Sequence, residues 1–94
     1  RGIRRVLTTG RMPRTALKYF FDIARACERL QAFLGATSRE RYLEDLLLQA
    51  AVERQFEIIG EATAQLAKLD AAAVERIPEY RRLIAFRNVL IHGY

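Results

Sequence analysis

The chain's only histidine, His92, lies five residues after Arg87 in the segment RNVLIHGY at residues 87–94. A neutral imidazole can take the proton from a 2'-hydroxyl of RNA, and a guanidinium can stabilise the charge that builds on the phosphoryl oxygens. These two residue types, held near one phosphate, are enough for phosphodiester cleavage without a metal. The pattern therefore indicates a candidate reaction, the cleavage of RNA.

The spacing limits how Arg87 and His92 can meet. On one helix, five residues place them about 140° apart around the axis. Either the helix ends between them, which Gly93 permits, or two copies of the segment share one site across a dimer axis. The second arrangement also supplies two copies of His92, in a chain with one cysteine and one serine besides.

Taken alone, the spacing is weak evidence. An Arg-x4-His pattern is short, and it arises by chance in a chain this rich in arginine. The alternative interpretation is a histidine at a helix end with no functional partner.

A longer pattern is more specific. The segment AVERQFEIIGEA at residues 51–62 precedes residues 87–94, with Ile77-Pro78 between them. From about Met12 to Tyr94 the chain resembles the HepT-like toxins of the HEPN superfamily. The resemblance implies an all-α antiparallel helical bundle that forms a homodimer, in which the Arg-x4-His motifs of both subunits line a shared ribonuclease cleft.

The same resemblance implies roles for individual residues. His92 would be the general base or acid, Arg87 the clamp on the transition state, and Asn88, one helical turn before His92, the residue that orients it. RNA would be the substrate, with no cofactor. The partner would be the minimal nucleotidyltransferase antitoxin of a type VII-like toxin-antitoxin system, which silences such toxins by transferring AMP to the tyrosine that matches Tyr94.

The two ends of the chain depart from the family pattern. Five arginines among residues 1–14 account for the whole net charge of +5, so residues 15–94 are electrically balanced. We expect residues 1–14 to be a disordered basic extension or a non-native start, and residues 15–94 to be the HEPN domain. Because the family continues past the tyrosine into a further helix, we expect that closing helix to be missing from the sequence or absent from the protein.

Helical periodicity runs through the body of the chain. A first helix is predicted to end at Gly35, with Thr37 and Glu40 as a capping box for the next start. The pattern of residues 40–69 predicts one long helix or two helices. The apolar face changes its direction around the helix axis near Gln49. Residues 71–76 predict a short helix capped by Asp70, and Pro78 is placed in the first turn of the final helix. The apolar stripe of the first helix comprises Ala16, Phe20, Ile23, Cys27, Leu30 and Leu34.

Three glutamates, Glu53, Glu57 and Glu61, form a ladder on the longest helix. A carboxylate-bridged metal site in a helical bundle also needs histidines at Glu-x-x-His spacing, and this chain has none, so no metal site is expected. In one interpretation the three carboxylates are solvated and Arg54 reduces their mutual repulsion. In the other, one glutamate pairs with Arg87 and directs its guanidinium into the cleft. Gly60, within the same helix, predicts a close helix-helix approach, for which a dimer seam is one candidate.

Other classes of protein fit less well. Cys27 is the single cysteine, which excludes an intrachain disulfide or a cysteine zinc site and fits a reducing cytoplasm. Residues 1–14 lack a sustained apolar stretch, so we expect them to be neither a signal peptide nor a membrane span. Two alternatives to a ribonuclease remain: a noncatalytic HEPN dimer that binds a nucleotidyltransferase or a nucleotide, and a plain helical dimerisation domain.

Overall fold

Five helices make up the part of the chain that the structure describes. The structure is a computed structural model, and it describes residues 13–92, with the backbone alone at His92. The predicted all-α class is confirmed for these residues, which contain no strand. The predicted basic extension lies outside them, except for Pro13 and for Arg14, which begins the first helix. The helices are α1 (Arg14–Leu34), α2 (Arg39–Glu44), α3 (Leu46–Leu69), α4 (Ala71–Val74) and α5 (Tyr80–His92).

Helix α3 is the centre of the bundle, because α1 and α5 both pack against it. Ala16, near the start of α1, shares a buried cluster with Leu66, near the end of α3, so these two helices are antiparallel. Tyr80, the first residue of α5, packs on the same cluster. At the other end Phe86 meets Phe56 edge to face, with ring centroids 5.3 Å apart. Helix α5 therefore also runs antiparallel to α3.

The cap between α1 and α2 differs from the prediction. Gly35 does end α1, but with φ of −57° it uses none of the freedom special to glycine. The predicted Thr37–Glu40 capping box is wrong. The Thr37 hydroxyl donates instead to the Phe33 carbonyl at 3.0 Å, and the N-cap of α2 is Ser38, whose side chain accepts from the Arg41 N–H at 3.1 Å.

The long helical stretch that follows is two helices, one of the two arrangements left open by the sequence. The break falls at Asp45, whose carboxylate accepts from the Leu48 N–H at 2.9 Å and caps α3. Gln49 then donates its side-chain amide to the carbonyls of Tyr42 and Leu43, at 2.9 and 3.2 Å. The Tyr42 carbonyl also accepts from the Asp45 N–H at 3.2 Å, and Gln49 adds a side-chain donor to the carbonyls at the end of α2, so it stabilises the corner.

Helix α4 begins as predicted, with the Asp70 carboxylate accepting from the Ala73 N–H at 3.0 Å, but it ends at Val74. The predicted place of Pro78 in the first turn of the final helix is wrong. Glu79 follows it with φ of 59°, a left-handed conformation that interrupts the helical path, and α5 starts at Tyr80. No described helix has the length and apolar character needed to cross a membrane.

Candidate functional site

The candidate site is built on the crossing of α3 and α5 at Gly60. This glycine is buried, and a Cβ atom added to it would lie 2.8 Å from Cγ of Arg87 and 3.0 Å from the Leu83 carbonyl oxygen. Real Cβ atoms essentially never approach other heavy atoms under 3.0 Å. The close approach predicted at Gly60 is therefore made to α5 of the same chain, and it brings Arg87 onto the surface of α3.

Arg87 is held at both ends of its guanidinium. Its Nη2 donates to Oε1 of Glu61 in an ion pair, and its Nη1 donates to Oδ1 of Asn88 at 2.7 Å. The Arg87 side chain is 24% exposed, whereas that of Glu61 is 47% exposed. The Arg87 Nε is buried and has no hydrogen-bond partner among residues 13–92. The guanidinium is thus fixed in place while its terminal nitrogens stay near solvent.

A glutamine supports the acidic partner. The side-chain amide of Gln65 donates to Oε2 of Glu61 at 2.9 Å, one helical turn further along α3. This hydrogen bond, together with the charge and hydrogen bond of Arg87, lowers the pKa of Glu61 against the opposing effect of burial. Glu61 is therefore ionised at neutral pH, and its two oxygens serve two different partners.

The other glutamates of the ladder lie apart from Arg87. Glu57 pairs with Arg54 at 3.3 Å, and Glu53 is half-buried with no recorded ion pair among the described side chains. Of the three residues considered from the sequence, Glu61 is the one that contacts Arg87. The roles of all three in the reaction remain predictions.

The backbone of α5 is helical without interruption from Tyr80 to His92. The helix therefore does not end between Arg87 and His92, and the two positions stay about 140° apart around its axis. Asn88 is exposed and is engaged by Arg87. The side chain of His92, together with Gly93 and Tyr94, lies outside what the structure describes. The regulatory role of Tyr94 therefore stays a prediction.

Sequence reasoning missed Gln65. The available signal was its spacing, since a glutamine four residues after a glutamate on one helix face is in hydrogen-bonding range. Glu61 and Gln65 also line a groove of 410 Å³ between α1 and α3, across from Lys18, Tyr19 and Asp22. The side of the carboxylate that faces away from Arg87 is therefore open to solvent.

Comparison with known proteins identifies the family. Residues 23–94 match the family model described as "Ribonuclease HepT-like". A Thermococcus cleftensis protein named "Probable ribonuclease HepT" is 36% identical over 83 residues, which cover 88% of this chain and 74% of that protein. A Caldanaerobacter subterraneus subsp. tengcongensis protein named "Putative RNase TTE0752" is 32% identical over 81 residues, covering 86% of this chain and 71% of that protein. No solved structure gives a significant match.

The chain thus has relatives that are named as ribonucleases. The chain belongs to the HepT-like ribonuclease family of the HEPN superfamily, and the resemblance noted in the sequence is confirmed.

The contact at Gly60 makes a prediction about stability. On an open helix surface, Gly→Ala raises the free energy of unfolding by about 1 kcal/mol. At this crossing the added methyl meets Arg87 and the Leu83 carbonyl, so we expect Gly60→Ala to lower the free energy of unfolding by about 1–3 kcal/mol. Urea denaturation followed by circular dichroism measures the change. The matched control is the reverse substitution, Ala50→Gly, at an exposed position of α3, which should cost about 1 kcal/mol. A stabilised Gly60→Ala protein would contradict this account of the crossing.

Proposed function

We propose that this protein is a cytoplasmic, metal-independent endoribonuclease toxin that cleaves RNA at a site shared by two copies of the chain. The observation that supports a shared site most is the unbroken helix from Tyr80 to His92. One straight helix cannot aim Arg87 and His92 at a single phosphate, because their positions differ by about 140°. A twofold axis brings the Arg87 of one copy to the His92 of the other.

The reaction follows from the groups that such a site would contain. The imidazole of one His92 takes the proton from the 2'-hydroxyl, and the 2'-oxygen attacks the adjacent phosphorus. The bond to the 5'-oxygen breaks, and that oxygen receives a proton from the His92 of the partner subunit. The products are a 2',3'-cyclic phosphate and a 5'-hydroxyl. Arg87 stabilises the negative charge on the phosphoryl oxygens as it develops.

The contacts of Arg87 suit that role. Each terminal nitrogen of a guanidinium carries two N–H groups. Glu61 takes one from Nη2 and Asn88 takes one from Nη1, so each nitrogen retains one N–H for a phosphoryl oxygen. Both remaining bonds would be charge-assisted, which makes them about twice as strong as neutral ones. The fixed guanidinium pays little conformational entropy when the phosphate arrives.

Asn88 offers a means of orienting His92. A guanidinium can only donate, so the oxygen of the Asn88 amide faces Arg87, and this oxygen has a second lone pair. His92 follows one helical turn later, and we propose that a ring N–H of its imidazole donates to that lone pair. The other ring nitrogen then stays unprotonated and free to act as the base.

A second copy would also cover apolar surface on α5. Phe86, Val89 and Ile91 are 43%, 54% and 48% exposed in the single chain. These three residues lie on the same part of α5 as Arg87 and Asn88. An interface there would place apolar side chains beside the shared site and exclude water from it, which strengthens electrostatic interactions within.

Regulation is proposed from the resemblance. A minimal nucleotidyltransferase encoded beside this protein would transfer AMP from ATP to the Tyr94 phenol and release pyrophosphate. The adduct would add a negative phosphate two residues from His92. Like charge and bulk would then keep an RNA phosphate out of the site.

The catalytic proposal predicts that the purified protein cuts RNA in the presence of EDTA, leaves a 2',3'-cyclic phosphate and does not cut DNA. Arg87→Ala and His92→Ala should each lower the rate by ~100-fold or more, because each removes charge stabilisation or proton transfer. Product analysis by mass spectrometry and gel-based rates measure these effects. Arg81→Ala, an exposed arginine on the same helix, is the matched control and should keep full activity.

Loss of cleavage on chelation, or a product with a 5'-phosphate, would contradict this mechanism. Tight binding of RNA or of a nucleotide by a wild-type protein that cleaves nothing would favour the noncatalytic HEPN dimer instead.

The regulatory proposal predicts AMP on Tyr94 after co-expression with the neighbouring nucleotidyltransferase, together with loss of ribonuclease activity. Tyr94→Phe removes the acceptor oxygen, so it should escape modification and stay toxic in the presence of the partner. Intact-mass spectrometry and peptide mapping provide the measurement. Tyr42→Phe is the control and should be modified like the wild type. An AMP group mapped to another residue, or none at all, would rule out this role for Tyr94.

A further inference from the structure

Gln65 belongs to the polar chain that ends at the guanidinium of Arg87. It is half-buried on α3, and its amide Nε2 donates to Oε2 of Glu61 at 2.9 Å. The other oxygen of Glu61, Oε1, accepts from Arg87. Gln65 thus acts on Arg87 through Glu61. No direct hydrogen bond joins the side chains of Gln65 and Arg87 in the described part of the chain.

The carboxylate of Glu61 has other cations within its surroundings. Lys68, on the same helix, contributes to lowering its pKa, and Lys18 and Arg54 line the groove that Glu61 also lines. A carboxylate that is 47% exposed and bound at one oxygen only can rotate toward such competitors. With both oxygens engaged, rotation breaks two hydrogen bonds instead of one. Gln65 therefore restricts Glu61 to the orientation that meets α5.

We propose that Gln65 is a positioning residue for the reaction: it holds Oε2 of Glu61, and Glu61 in turn holds the Arg87 guanidinium over Gly60. Gln65 does not contact RNA in this scheme. The inference rests on the proposed ribonuclease function for its kinetic consequences, but the effect on Glu61 is a property of the folded chain alone.

The hydrogen bond from Gln65 is also the largest cause of the lowered pKa of Glu61. Its loss should raise the pKa, so the carboxylate would begin to protonate at a higher pH and release Arg87 sooner as the pH falls. Removing a neighbouring cation such as Lys68 would raise the pKa of Glu61 in the same direction but more weakly, so the size of the shift separates the two effects. The charged groups around Glu61 are Arg87 from α5, Lys18 and Asp22 from α1, and Arg54, Glu57 and Lys68 from α3.

The test compares Gln65→Leu, which keeps the size of the side chain and removes the donor, with the wild type. We expect kcat to fall by about 10-fold with KM nearly unchanged, because a misplaced clamp weakens the transition state more than substrate binding. Gln65→Lys keeps a donor four residues after the glutamate and should retain most of the activity. The control is Gln31→Leu, an exposed glutamine on α1.

A second measurement needs no RNA. Titration of the Glu61 side-chain carboxyl by ¹³C NMR, assigned with a Glu61→Gln variant, should give a higher pKa in Gln65→Leu than in the wild type, with unchanged helicity by circular dichroism. If Gln65→Leu fails to fold, Gln65→Ala takes its place. An unchanged pKa overturns the proposal whether or not the protein cleaves RNA. A wild-type protein that cleaves no RNA overturns the proposed function, and a raised pKa would then still support the hold of Gln65 on Glu61.

Discussion

The absence of a side chain at Gly60 is the constraint on which the rest of the site depends. Because α5 lies directly against α3 at this point, the aliphatic part of Arg87 rests where a Cβ would otherwise be. The guanidinium then reaches Glu61, the next residue along α3. The glycine costs about 1 kcal/mol in helix propensity, and the packing of α5 and the ion pair offset that cost. A steric feature of the backbone thus decides where a positive charge is held.

The same contacts explain how an arginine can be fixed and still keep N–H groups for a further anion. A bidentate carboxylate would occupy both donors on one edge of the guanidinium. Here Glu61 offers a single oxygen, because Gln65 engages the other, and the second terminal nitrogen of Arg87 turns to Asn88. The Arg87 guanidinium is thereby oriented by two partners, each of which accepts a single N–H. Free N–H groups remain that could bind a phosphodiester, whose negative charge increases on the phosphoryl oxygens as a transition state forms.

The sequence predicted those features that depend on local patterns. Helical periodicity located α1 and the long central stretch, and Asp70 was recognisable as an N-cap. The errors came where two local signals compete. Thr37 was free to bond back to Phe33, which left the cap to Ser38, and Glu79 adopts a left-handed conformation that residue type alone does not signal. Gln65 was missed because its importance comes from Glu61 and Arg87 meeting across two helices.

The proposed mechanism requires that one cleavage site uses His92 of both subunits. Wild-type and His92→Ala chains carrying different affinity tags can be co-expressed, and the mixed dimer purified through both tags. If both copies of His92 serve one site, this dimer should be nearly inactive, ~100-fold below the wild-type dimer. If each subunit instead cleaves RNA independently, the mixed dimer should retain about half of the wild-type rate, and that result would contradict the account.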